Sequence, residues 1–452
     1  MGRNNQRRRA AKQRARQQRG PTAARSDRPA DAEGFAFGFG SNPEEMGLDT
    51  VAHTLQQLIQ AAAVLPPTGL SRLVEDQLMA QDGAGRQRMD ELASMRVHQS
   101  LVAAWERGWQ PLDLVHVVRR SQARLVPLLA IAISAQASSV QAEQRAPQSW
   151  LDQLHAVADE ALPVDPDPHH GGLVGAVIGH GARLVDAWTD LLQMVRLLSR
   201  VPVLERLVPP PSAWARPSTR SRTEGDSTER GRLLNRIRTL LAKAENTEFA
   251  AEAETFTAKA QDLMTRHAID EALLHGSTDH PIEVRGVRML INNPYAAEKV
   301  QLLNQVARAN RSRAVWNEPL GVVTVLGTPT DVDQVEMLFT SLLIQATRAM
   351  AGAGANRAGS FDRSASFRRS FLMSYAVRIG ERLSETNDAA TASYGSELVP
   401  LLQRQTSAVQ EEFDRLFPQT RSARPGRYNS LGWGAGRAAA DRAVFAAGRL
   451  TA

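Results

Sequence analysis

The chain has 452 residues, 42% of them hydrophobic and 23% charged, with no cysteine, and a chain of that length predicts two or three compact units, since one hydrophobic core seldom serves so many residues. The lack of cysteine excludes a disulfide framework, thiolate zinc sites, iron–sulfur ligation and a cysteine nucleophile. The net charge of +6 is unevenly placed: residues 1–30 hold ten Lys and Arg against Asp27 alone, while the rest of the chain carries 44 basic and 47 acidic side chains.

Residues 1–43 lack periodic hydrophobicity and are rich in Arg, Gln, Gly and Ala, a composition that cannot bury enough surface to offset chain entropy. A disordered basic tail is expected there. Its Arg7, Arg8, Arg9, Lys12, Arg14 and Arg16 are candidate phosphate contacts. Phe35, Phe37 and Phe39 alternate with small residues, as an aromatic sticker or a short docking segment would. No apolar segment follows the arginine run, so a twin-arginine export signal is not supported and a cytoplasmic location is expected.

From 44 to 208 apolar residues recur at three- and four-residue spacing, with breaks at Pro66-Pro67, Gly83 to Gly85, Gln110-Pro111 and Pro163 to Gly172, which predicts a bundle of five to seven helices. One helix ends near Gly108. The next begins with Pro111 in its first turn and Asp113 near the positive helix end, with Trp105 and Trp109 as core anchors. The longest apolar stretch, Leu125 to Ile133, is about half of the roughly 20 residues a bilayer span needs, so it reads as a buried helix and no membrane association is expected. The bundle is a candidate surface for a protein partner. The loop holding Asp165, Asp167, His169 and His170, with His180 beyond it, offers metal-ligating side chains, but its prolines hold it extended and the ligands do not converge.

A linker is predicted over 209–228, where Pro209, Pro210, Pro211 and Pro217 precede Ser, Thr, Arg and Gly. A helical hairpin follows at 229–276. Leu233, Leu234, Ile237, Leu240, Leu241 and Ala244 share one arc of the first helix, while Arg232, Arg236 and Lys243 form a separate basic stripe that is a candidate phosphate contact or simply a solvated face. Phe249, Ala253, Phe256, Ala260, Leu263 and Met264 share a face of the second helix, along with His267, whose plainest role is a core histidine bonded to a backbone carbonyl. The run Leu233–Glu245, the pair Glu252-Ala253, and Lys259 to Met264 followed by His267, Ile269 and Asp270 resemble the bacterial and phage domain-of-unknown-function family numbered 2786. The resemblance implies an uncharacterised protein of a bacterium or its phages. Because that family has no established activity, it assigns no role to any residue here.

Residues 280–452 are predicted as a small α+β unit with C-terminal helices. Strand patterns at Ile282–Ile291, Arg313–Trp316 and Gly321–Leu326 suggest a sheet of about three strands, alternating with helical patterns at Pro294–Asn310 and Asp331–Met350. Further helices are expected at about Ser366–Thr386, Glu397–Phe417 and Ala435–Arg449. The whole chain is thus expected to be mainly α with a small α+β part. Every histidine lies at or before position 280, so a metal site in this unit would use carboxylates and suit Mg or Ca. The one such candidate is Asp331, Asp333 and Glu336 at a helix start, where acidic residues also complement the helix dipole. Gly327 to Asp331 joins strand to helix but lacks the lysine and second glycine of a phosphate loop, and reads as a turn with a helix cap. No serine elbow, zinc-peptidase helix or dinucleotide fingerprint occurs. Around 361–382, Arg363, Arg368, Arg369, Arg378 and Arg382 accompany Phe361, Phe367, Phe371 and Tyr375, a mixture that can stack bases and grip phosphates; alternatively Phe371, Tyr375 and Ile379 are core, and the arginines are solvated.

These features lead to a non-enzymatic protein associated with DNA or RNA through its basic tail, needing no cofactor. The alternatives are a Mg-dependent enzyme acting on nucleotides or nucleic acid at Asp331, Asp333 and Glu336, and a protein-interaction scaffold.

Overall fold

A computed structural model of the protein describes residues 43–161, 172–215, 281–355, 364–394, 398–421 and 429–443, with Thr239 alone between the second and third of these. The basic tail, the remainder of the hairpin at 229–276, the Asp165 to His170 loop and Phe361 to Arg363 lie outside the described residues.

The N-terminal half is a helical bundle. Its helices are α1 (Pro43–Val64), α2 (Pro67–Met79), α3 (Gly83–Glu106), α4 (Pro111–Gln122), α5 (Val126–Ser139), the short α6 (Ala142–Arg145), α7 (Gln148–Ala158), the short α8 (Leu173–Ile178) and α9 (Leu184–Ser199). The boundaries follow local chemistry. Pro67 and Pro111 sit in first turns, where a missing N–H costs nothing, and Asp82 caps α3 by accepting from Gly85 N at 2.7 Å. Helix α5 is apolar on nearly all sides, with Val126 and every residue from Leu128 to Ile133 buried. It is enclosed by α3, α4, α6, α7 and α8, which turn apolar residues toward it.

The α3–α4 corner is locked by three devices. Gly108 takes φ +86°, and a Cβ there would overlap the Leu204 carbonyl. Trp105 Nε1 donates to Gln136 Oε1 at 3.1 Å and Trp109 Nε1 to Pro202 O at 2.7 Å. Gln110 and Asp113 form a reciprocal capping box. Residues 209–215, proline-rich and linker-like in composition, are packed against the bundle. Trp214 is buried, edge-on to Trp150 at 5.5 Å, and Trp150 is edge-on to Trp105 at 5.4 Å. Arg145 Nη2 holds the Trp214 carbonyl at 3.1 Å. Pro210 and Pro211 are buried along with the tryptophan.

The C-terminal half contains β1 (Arg285–Leu290), α10 (Ala296–Ala309), β2 (Arg313–Asn317), β3 (Val322–Gly327), α11 (Pro329–Ala355), α12 (Ala365–Tyr394), α13 (Leu398–Leu416) and α14 (Ser430–Arg442). The strands form one antiparallel sheet in the order β1-β3-β2, pairing Val287 with Val325 and Trp316 with Val323. The central strand β3 is buried along its whole length, as its run of β-branched residues requires. A second hydrophobic cluster gathers Val323, Val325, Leu303, Val306, Val335, Phe371, Tyr375 and Ile379. Helices α12 and α14 approach closely because Gly432 and Gly436 lack side chains: a Cβ on Gly436 would overlap the Phe371 carbonyl oxygen and Ser374 Oγ. The chain is mainly α with one small three-stranded sheet, and none of the described helices is long and apolar enough to cross a membrane.

The described residues from Val51 onward form one compact unit, and a buried arginine ties its two cores together. Arg288 on β1 reaches into the bundle, where Nη1 donates to Asp113 Oδ2 at 2.6 Å and to Gly108 O at 2.8 Å, and Nη2 donates to Glu205 O. Both charged side chains are almost fully enclosed, 2% exposed for Arg288 and 3% for Asp113. Beside them His116 on α4 bonds the Gly321 carbonyl at 3.1 Å through Nε2.

Candidate nucleic-acid interface

The acidic trio does not assemble into a cation site. Thr328 and Asp331 instead make a helix cap: Thr328 Oγ1 donates to Asp331 Oδ2 at 2.9 Å and accepts from Asp331 N at 3.3 Å, at the start of α11. Asp331 is buried and paired with Arg311, and Asp333 is paired with Arg285. Glu336 sits on the exposed side of the helix. Successive positions on a helix point in different directions, and the two aspartates are each turned to their own guanidinium. Among the described residues no group of three His, Asp or Glu side chains is placed to hold a metal ion.

The C-terminal arginines divide into two sets. Phe367, Phe371, Tyr375 and Ile379 are core residues, so the described aromatic members of the expected base-stacking mixture face inward. Arg378 binds Glu381 at 2.9 Å, Glu385 at 3.4 Å and also Asp441, while Arg437 binds Glu381 at 2.7 Å. The Arg437 and Arg378 hydrogen bonds hold the Glu381 carboxyl below its ordinary value, and Arg378 does the same to Asp441. Arg382 caps the end of α14 by donating to the carbonyls of Ala440 and Ala443. These three guanidiniums are committed to tying α12 to α14. Arg368 is half-buried and Arg369 exposed.

Arg369 opens onto a polar cleft of about 420 Å³ together with Arg120 from α4, Trp316 from β2 and the first turn of α10. Among the described residues neither guanidinium has a carboxylate within salt-bridge distance. Tyr295, at φ +65°, starts α10, so first-turn N–H groups of that helix border the cleft. Glu298 and Glu318 line it too, which cancels the two positive charges. The cleft can therefore grip a phosphate or stack a planar ring on Trp316, but it does not attract anions from a distance. Arg120 and Trp316 were not readable as site residues, because nearly two hundred positions of sequence separate them and only the packing of bundle against sheet brings them together.

Of the sequence-based candidates, Arg7, Arg8, Arg9, Lys12, Arg14, Arg16, Arg232, Arg236 and Lys243 fall outside the described residues. Residues 232–271 match the family described as a protein of unknown function, DUF2786, in agreement with the resemblance read from Leu233 to Asp270. No curated protein matches the chain, and no solved structure does.

Proposed function

We propose that this is a non-enzymatic nucleic-acid-associated protein whose N-terminal tail supplies the affinity. One observation carries the reading: ten Lys and Arg against a single acid in residues 1–30, beside a remainder in which acids outnumber bases. A segment so charged neutralises phosphates and gains free energy by releasing their counterions, without reading sequence. The folded part supports this division of labour, since Arg378, Arg382 and Arg437 are occupied by internal partners and the Arg120–Arg369 cleft has no net charge. That cleft serves as a minor second contact.

The test is binding of full-length protein and of a variant lacking residues 1–30 to mixed DNA and RNA at two salt concentrations. Each phosphate neutralised on duplex DNA contributes about 0.9 to the slope of log K against log salt. If half of the tail's cations engage, the slope of the truncated protein is flatter by roughly 4 to 5. Arg369→Gln lowers affinity by less than about tenfold, as loss of a single contact should. Full-length protein that shows no salt-sensitive retention, or a truncation that leaves the slope unchanged, overturns the proposal.

A further inference from the structure

A second cleft, independent of the tail and of nucleic acid, lies in the bundle. Helices α3, α5 and α8 wall a space of about 790 Å³ lined by Met95, Val97, Ile131, Ala132, Ala135 and Leu173. Its volume is in the range of small-molecule sites, about 300–1,000 Å³. The wall formed by α8 is fixed in place. The buried Asp90 carboxylate accepts from Val174 N at 3.1 Å and Gly175 N at 2.9 Å, and Ser94 Oγ accepts from Leu173 N at 2.9 Å. Burial pushes the Asp90 carboxyl above its ordinary value, opposed by those backbone N–H groups. Met95 stands half-exposed at the rim, an adaptable apolar side chain left in water.

One polar group in this lining is unfinished. Gln136 is 3% exposed, and its Oε1 accepts from Trp105 Nε1. That bond fixes which end of the amide is oxygen and leaves Nε2 as a donor. Nε2 is buried and has no hydrogen-bond partner among the described residues. A buried donor left unpaired costs about 1–3 kcal/mol, and the same residue lines an apolar cleft. Among the described residues the cleft's charged or titratable members are Glu91, which pairs with Arg88 at 2.8 Å, and the half-buried His98. Glu91 is thus already paired and the described lining holds no Lys or Arg, so a desolvated charge on a ligand is poorly compensated and neutral molecules are favoured.

We propose that this cleft binds an uncharged, largely apolar small molecule through a carbonyl or ether oxygen that accepts from Gln136 Nε2 once a shift of the surrounding side chains uncovers that atom. The experiment uses full-length protein and two fluorescent probes. One is 6-propionyl-2-(dimethylamino)naphthalene, which has a ketone; the other is 2-(dimethylamino)naphthalene, which does not. The ketone probe is expected to bind saturably at one per chain with a blue-shifted emission. Ala135→Trp places a ring in the cleft from an exposed position of α5, which leaves folding intact, and should abolish binding of both probes. Gln136→Leu should weaken the ketone about tenfold, the equivalent of one hydrogen bond, and the ketone-free probe by less than about twofold. The proposal is overturned by absence of saturable binding, by binding that survives Ala135→Trp, or by equal losses for both probes in Gln136→Leu.

Discussion

Arg288→Met tests whether one buried ion pair couples the helical bundle to the sheet. The substitution keeps most of the side-chain volume while removing the guanidinium, so Asp113 is left enclosed without its counter-charge and the carbonyls of Gly108 and Glu205 lose their donor. Exposed ion pairs contribute about 0–1 kcal/mol. Here both partners are at most 3% exposed, and breaking such a pair from one side costs about 3–5 kcal/mol. Burial alone raises the Asp113 carboxyl, with Arg288 the chief opposing influence, so removing Arg288 drives Asp113 toward its neutral form. Urea unfolding followed by tryptophan fluorescence is the assay. The bundle core holds Trp105, Trp109, Trp150, Trp188 and Trp214, whereas Trp316 reports on the sheet, and the variant should lose the single transition as the sheet half unfolds first. Adding Asp113→Leu to Arg288→Met should recover part of the loss, because no charge then remains unpaired. A shift below about 1 kcal/mol for Arg288→Met, as for a surface pair, refutes the reasoning.

Four further outcomes follow from the same geometry. His116 is held neutral, its pKa lowered first by burial and then by the nearby Arg120 charge; its contribution is therefore intact above the ordinary value of 6.5 and is lost as pH falls below it, so the urea midpoint should drop between pH 7.5 and 5.5, and His116→Gln should flatten that drop. Gly436→Leu forces α14 off α12 and should cost about 3 kcal/mol or more by overpacking, read as a lower thermal midpoint, with Gly434→Leu as control because its Cβ meets open space. The buried Tyr375 hydroxyl has no hydrogen-bond partner among the described residues, so Tyr375→Phe should be neutral or stabilising by up to about 1 kcal/mol in chemical denaturation; a clear destabilisation would contradict this. Asp331→Ala should lower stability by about 3 kcal/mol by leaving Arg311 unpaired and removing a helix cap, and millimolar Mg should leave the wild-type midpoint unchanged, as expected of carboxylates already neutralised by arginine.

Much of the fold was legible because its signals are local. The break at Pro66-Pro67, the helix start at Pro111, the buried run Leu125 to Ile133, the three strands and the reading of Phe371, Tyr375 and Ile379 as core all rest on periodicity, caps and breakers, which act over a few residues, whereas the expected break at Gly83 to Gly85 is the first turn of α3. The uneven charge is likewise a property of sequence, as is the DUF2786 match at 232–271. What only tertiary structure decided is which polar groups meet. Asp331 and Asp333 in sequence read more readily as dipole partners than as metal ligands, but neither reading includes Arg311 and Arg285, which packing sets opposite them. Arg378 and Arg382 read as phosphate contacts until α14 brings Asp441 and its terminal carbonyls to them. Arg288 carried no local signal at all, since its partners lie 83 to 180 residues away along the chain. Hydrophobic periodicity is written along a single helix or strand, whereas a charge takes its meaning from the neighbour that desolvation obliges it to find.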